Sequence, residues 1–131
     1  MRIFTILAVI NILILSCSSS TEETVPSYTG RYFLVKNYAI VNGVKDSESI
    51  HEGSCSGKTN YLINEDNNVN VEVYGAQSGK CSLIGNFKYN YNISTNSING
   101  ETVNFEGNIL TITNVSKSPN VTIENVYIYK K

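Results

Sequence analysis

Val69-Asn70-Val71-Glu72-Val73-Tyr74 is the stretch that decides the fold. Valines stand at every second position, with Asn70, Glu72 and Tyr74 between them. That is the period of a half-buried strand, not of a helix. The same period continues outward. Leu83, Phe87, Tyr89, Tyr91 and Ile93 face one way, against Asn86, Lys88, Asn90 and Asn92. Val103 and Phe105 alternate with Thr102, Asn104 and Glu106, and Leu110 and Ile112 with Thr111 and Thr113. No stretch after residue 27 shows helical periodicity. Turn signals separate the runs: Asn42-Gly43, Glu65-Asp66-Asn67-Asn68, Asn99-Gly100 and Gly107-Asn108. Asn-Gly suits tight hairpins because both central residues take positive φ. With 18 asparagines and two prolines in 131 residues, the turns must come from Asn, Asp and Gly.

The alternation predicts strands over 29–41, 58–64, 69–75, 83–92, 93–98, 101–106, 109–115 and 121–129. The last run changes phase at Asn125, with Val121 and Ile123 odd but Val126 and Ile128 even. That predicts either a bulge or Tyr127 and Tyr129 turned to one side. Short sequential strands with tight turns make an antiparallel meander, and closing it removes its adhesive edges.

The N-terminus reads differently. Arg2 precedes an apolar run, Ile3 to Leu15, interrupted only by Thr5 and Asn11. Thirteen helical residues reach about 20 Å, short of a hydrocarbon core of roughly 30 Å. This is an export signal over residues 1–16 and not a membrane span. Ile14-Leu15-Ser16-Cys17 follows it and resembles the lipobox of bacterial lipoproteins, which implies lipidation at Cys17 and anchoring in a membrane. Firm anchoring needs more than one acyl chain, at about 0.8 kcal/mol per buried methylene. Residues 17–27 then form a polar, flexible tether containing the adjacent acids Glu22 and Glu23. Residues 28–131, about 104 in number, remain for one domain with a modest core.

Charge and cysteines narrow the partners. The whole chain carries a net charge of -1, and loss of Arg2 leaves nine basic against eleven acidic residues. Without a basic surplus, nucleic acid is not an expected partner. Cys55 and Cys81 remain once Cys17 is lipidated, and in an exported protein they are expected to form a disulfide.

Several motifs invite chemistry and fail. Gly53-Ser54-Cys55-Ser56-Gly57-Lys58-Thr59 has three residues between its glycines where a phosphate loop needs four, and strand-like Tyr61-Leu62-Ile63 follows it. His51-Glu52 lacks the second histidine of a zinc-protease helix, because His51 is the chain's only histidine. It would also be a hydrolase's only imidazole base, with no sequence context around it. Asp66-x-Asn68-x-Asn70 opens like a calcium loop, but Val71 replaces the required glycine and Gln77 the closing glutamate. Asn92-Ile93-Ser94, Asn114-Val115-Ser116 and Asn120-Val121-Thr122 fit the glycosylation pattern, which a bacterial lipoprotein does not normally use. Neither a metal, a cofactor nor an enzymatic reaction is expected.

A wider resemblance runs through the domain. It is carried by Gly30-Arg31-Tyr32-Phe33-Leu34-Val35, Asn42-Gly43, Cys55, Cys81, Gly85-Asn86-Phe87 and Asn108-Ile109-Leu110-Thr111-Ile112-Thr113. Together these resemble the lipocalin-like domain of small bacterial lipoproteins, with Tyr32 and Phe87 standing where tryptophan is usual. The resemblance implies an all-β fold, a small antiparallel up-and-down eight-stranded β-barrel, lipid-anchored in the cell envelope at the outer membrane. It carries over no catalytic residue, and a fold does not supply a function.

Two functions follow as expectations. The first is non-enzymatic binding of a small apolar ligand inside the barrel of a monomer, with Val71, Val73, Phe87, Tyr89, Tyr91 and Phe105 as the inward candidates. At period-two spacing, Tyr89 and Tyr91 suit barrel filling better than a binding patch. The second is a filled barrel that acts through its surface on an envelope protein, as scaffold, inhibitor or immunity-type protein.

Overall fold

The computed structural model describes residues 25–131; the export signal, Cys17 and most of the tether fall on residues 1–24, outside the described residues. Nine strands form one antiparallel sheet: β1 (Gly30–Val41), β2 (Val44–Ile50), β3 (Asn60–Ile63), β4 (Asn68–Gln77), β5 (Lys80–Asn92), β6 (Ser97–Ile98), β7 (Glu101–Glu106), β8 (Ile109–Ser118) and β9 (Val121–Lys130). The sheet order is β2-β1-β3-β4-β5-β6-β7-β8-β9, and β1 also pairs with β9. The sheet therefore closes into a ring, with β2 attached outside it. A single 3-10 turn, Ser56–Lys58, is the only helix among the described residues.

Closure depends on β1 serving two neighbours along one edge. Gly30 to Phe33 pair with β3, while Lys36 to Val41 pair with β2. Its other edge runs along β9 from Phe33 to Val41, with a register shift between Leu34 and Lys36. Residues directly paired across strands share a face. One inward row thus reads Tyr32, Tyr61, Val71 and Phe87. Another reads Val103, Ile112 and Tyr127, and a third Phe105, Leu110 and Tyr129. The core comprises Tyr32, Leu34, Ile63, Val69, Val71, Tyr91, Ile98, Val103, Leu110, Ile112 and Tyr129.

Two strands depart from the sequence reading, and one of its alternatives is decided. β2 was not anticipated, since Val44-Lys45-Asp46-Ser47-Glu48-Ser49-Ile50 is exposed throughout and has no alternation to read. The strand expected over 93–98 is mostly turn: the Asn92 side chain accepts from the Ser94 and Thr95 amides, leaving only Ser97 and Ile98 in β6. The phase change in β9 is not a bulge, because its pairing with β8 is continuous. The other expected outcome holds, with Tyr127 and Tyr129 on the inward face beside Ile112 and Leu110. Val126 packs on the opposite face, buried but outside the core cluster.

The turns follow their sequence signals. Asn42 and Gly43 take φ of 49° and 82°, and Asn99 and Gly100 take 52° and 80°. The Asp66 carboxylate accepts from the Asn68 amide, so Asp66-x-Asn68 is a hairpin device.

Candidate functional site

The ring has one filled end and one open end, and the six inward candidates divide between them. β1 enters at the lower end, where Tyr28, Tyr91 and Phe105 pack ring against ring, with centroids 5.1–5.5 Å apart. Tyr32 adds a fourth ring, 5.9 Å from Phe105. Their hydroxyls are satisfied locally: Tyr28 donates to Asn67, Tyr32 to the Tyr28 carbonyl and Tyr91 to Asn96. Val71 and Tyr91 are buried, and Val73, Tyr89 and Phe105 pack against the core. The structure does bring these residues to one face, but chiefly to fill the interior.

Phe87 is the exception, at 46% exposure. It stacks on Tyr89, with centroids 6.2 Å apart and planes at 12°. A Cβ at Gly85 would stand 2.7 Å from the Phe87 ring, so this glycine gives the ring its place. One strand over, a Cβ at Gly75 would stand 2.7 Å from Ile84 Cδ1, so Ile84 also leans across the inward face. Ile84 is 50% exposed. The upper end of the β4–β5 hairpin therefore presents an apolar inner surface without a partner among the described residues.

Below that surface lies a polar floor that sequence reasoning missed. Tyr61 and Tyr129 meet edge to face at 5.0 Å. Glu101 shares the inward face with Val103 and Phe105, and its carboxylate accepts from Asn114 Nδ2 at 3.2 Å. Desolvation, followed by the negative charge of Glu101, pushes the Tyr61 phenol far above its usual value. Tyr129 rises for the same leading reason, with Tyr61 and then Glu101 adding to burial. Both phenols stay neutral across the physiological range. The signal was available: Glu101 is in phase with Val103 and Phe105, an acid at an inward position.

His51 is placed elsewhere. Its ring spans Ser56 Oγ, at 2.8 Å, and Asn37 Oδ1, at 2.5 Å. With Cys55–Cys81, whose sulfurs are bonded, these contacts fasten the 51–59 segment across the gap where β1 leaves β3 for β2. The segment ends at Thr59, whose Oγ1 accepts from the Tyr74 amide of β4. The Gly53–Thr59 motif is thus a braced loop followed by β3 and not a phosphate loop before a helix. Among the described residues, no group of three or more His, Cys, Asp or Glu side chains is placed to hold a metal.

Two surface depressions touch, among the six inward candidates, Tyr89 alone. One of about 520 Å³ is lined by Thr29, Gly30, Leu62, Ile63, Asn64, Glu65 and Asp66. A second of about 270 Å³ borders Asn64, Asn68, Val69, Asn70, Lys88 and Tyr89, and of the six candidates only Tyr89 touches it. Lipidation at Cys17 lies outside the described residues. Compared with known proteins, the chain matches no family model, no curated protein and no solved structure.

Proposed function

We propose that this chain is a bacterial lipoprotein, held at the outer membrane by acyl chains on Cys17, whose lipocalin-like eight-stranded barrel works as a protein-interaction module. The lipobox-like Ile14-Leu15-Ser16-Cys17 supports the anchor, and the resemblance along 30–131 supports the lipocalin-like reading. One observation favours surface action over an enclosed ligand. Tyr32 and Leu110 are wholly buried, and Ile63, Val69, Ile98 and Ile112 are 1% exposed, so side chains occupy the interior that a ligand would need. The reading is non-enzymatic, because His51 is engaged in bracing a loop.

The stacked, half-open pair of Phe87 and Tyr89 favours a second reading, a small apolar ligand held at the mouth. Native mass spectrometry of the lipoprotein purified from its own host separates the two. The interaction reading expects a bare chain mass plus acyl groups, and photo-crosslinking from position 87 in intact envelopes to one defined protein. A stoichiometric co-purifying small molecule would overturn it in favour of the second. The anchor has its own test: Cys17→Ser should leave an unacylated, soluble chain, and continued membrane fractionation would refute it.

A further inference from the structure

The ring is uneven in height, and on its low side two strand edges have no partner among the described residues. β5 pairs with β6 only through Tyr91 and Asn92, so positions 80–90 have no strand on that edge. β8 pairs with β7 up to Thr113, so positions 114–118 are equally bare on the facing side. The two edges look at each other across a slot above the Asn99-Gly100 turn. Round the ring, β5 and β8 are separated by three interstrand spacings, about 14 Å in all, which leaves room for one or two added strands. The Tyr91 amide donates to the Asn67 carbonyl on the β4 side. Alternation then turns the backbone N–H and C=O groups of Asn86, Lys88 and Asn90 into the slot.

The geometry points to strand addition at this slot: an extended segment of another envelope protein pairs with the free edge of β5. This rests on the interaction reading above and specifies its chemistry. A row of backbone donors and acceptors left to water along one edge is matched in full only by an extended polypeptide, not by a small ligand or lipid. Alternate side chains of that segment point inward, where Ile84 and Phe87 offer exposed apolar surface. At the foot of the slot Glu101 calls for one basic inward residue. A further free edge, β2, carries Lys45, Asp46 and Glu48 within seven residues, the usual protection of an edge against pairing. β5 has only Lys80 and Lys88 across thirteen residues.

The probe is a capped synthetic decapeptide alternating valine and threonine, with one arginine in a valine position, titrated into the full-length lipoprotein in detergent. Saturable binding tighter than about 1 mM is expected, with amide exchange at Asn86, Lys88 and Asn90 slowed about tenfold at saturation. N-methylation of the peptide amides facing β5 should abolish binding, while methylation of the alternate set should spare it. Phe87→Ser and Glu101→Gln, both partly open positions, should each weaken binding about tenfold. Absence of binding up to about 1 mM overturns the proposal. So does binding indifferent to methylation, protection at Val44–Ile50 instead of β5, or a dimer of this chain occupying the slot. If the peptide fails while crosslinking from position 87 still traps a protein, strand addition falls and the interaction reading stands. If a small molecule co-purifies instead, both fall.

Discussion

Replacing both Cys55 and Cys81 by serine should remove a large share of this domain's stability. The bridge closes a loop with a sequence separation of 26. On the chain-entropy relation, a loop of that size restricts the unfolded chain by about 12 cal/mol/K, or about 3.5 kcal/mol at 25 °C. Small domains are stable by only about 5–15 kcal/mol, so the double variant should remain folded but marginal. Equilibrium urea unfolding followed by far-ultraviolet circular dichroism is the assay. The midpoint should fall by roughly 1–3 M with the slope similar. The thermal midpoint should fall by roughly 15–25 °C for a domain near 100 residues. Amide exchange should rise throughout the sheet, because an effect on the unfolded chain lowers global stability. A loss below about 1 kcal/mol, or fast exchange confined to 51–59, would refute the reasoning. The bridge would then be a local clamp beside His51 and Thr59, not a restraint on the unfolded chain.

Three further outcomes are expected. Asn60→Ala should cost about 1–3 kcal/mol in urea unfolding, because buried Asn60 donates to the Lys58 carbonyl and Glu72 and accepts from Arg31; a change under about 0.5 kcal/mol would contradict that network. Burial holds the phenol pKa values of Tyr32, Tyr61, Tyr91 and Tyr129 above the ordinary 10.0. The stability they confer is complete below pH 10.0 and is lost as the pH rises through their folded values, so an absorbance titration should show four of nine tyrosines ionising above the ordinary phenol value, Tyr61 and Tyr129 last of all. Nine phenols titrating together in a folded sheet would be the contrary result. Gly85→Ala should displace the Phe87 ring, alter near-ultraviolet dichroism from the Phe87–Tyr89 stack and cost about 1 kcal/mol; an unchanged aromatic spectrum would show that the stack does not depend on the glycine.

The fold was legible wherever one face of a strand is buried. Val69, Val71 and Val73, Val103 and Phe105, and Leu110 and Ile112 alternate because their partners face water, and each run is a strand. The Asn-Gly pairs announced their turns because the positive φ values they need are written in residue type. β2 was illegible for the opposite reason: it lies outside the ring, buries neither face and so leaves no pattern. The residues at 93–96 looked strand-like by composition, but the local side-chain bonds of Asn92 compete with the ladder and win. Periodicity puts Val71 and Phe87 on one face, but it cannot distinguish a packed interior from a lined pocket. Val71 and Phe87 are direct cross-strand partners, and one is 4% exposed, the other 46%. What separates them is the height of the neighbouring strands, which no run of residues records.

Two asparagines and two tyrosines serve each other at one end of the molecule, and this separates it from the other end. A domain this small fills its interior with a few large side chains, and tyrosine does so only where its hydroxyl finds a partner. At the lower end the turns supply those partners. Asn67 and Asn96 hold positive φ and accept from Tyr28 and Tyr91, so one residue type both makes the turn and caps the core. Rings and turns lock each other there, and that end is closed. At the upper end the phenols of Tyr61 and Tyr129 meet an acid, Glu101, which itself leans on Asn114. A carboxylate at an inward, partly open position can pair with a cation that comes to it from outside. The short β6–β7 hairpin gives such a group its way in, and the bare edge of β5 stands beside the entrance. Lengthening that hairpin by a few residue pairs would complete the ring, pair the edge and cover Glu101. The present turn at Asn99-Gly100 is what leaves the edge of β5 without a strand among the described residues.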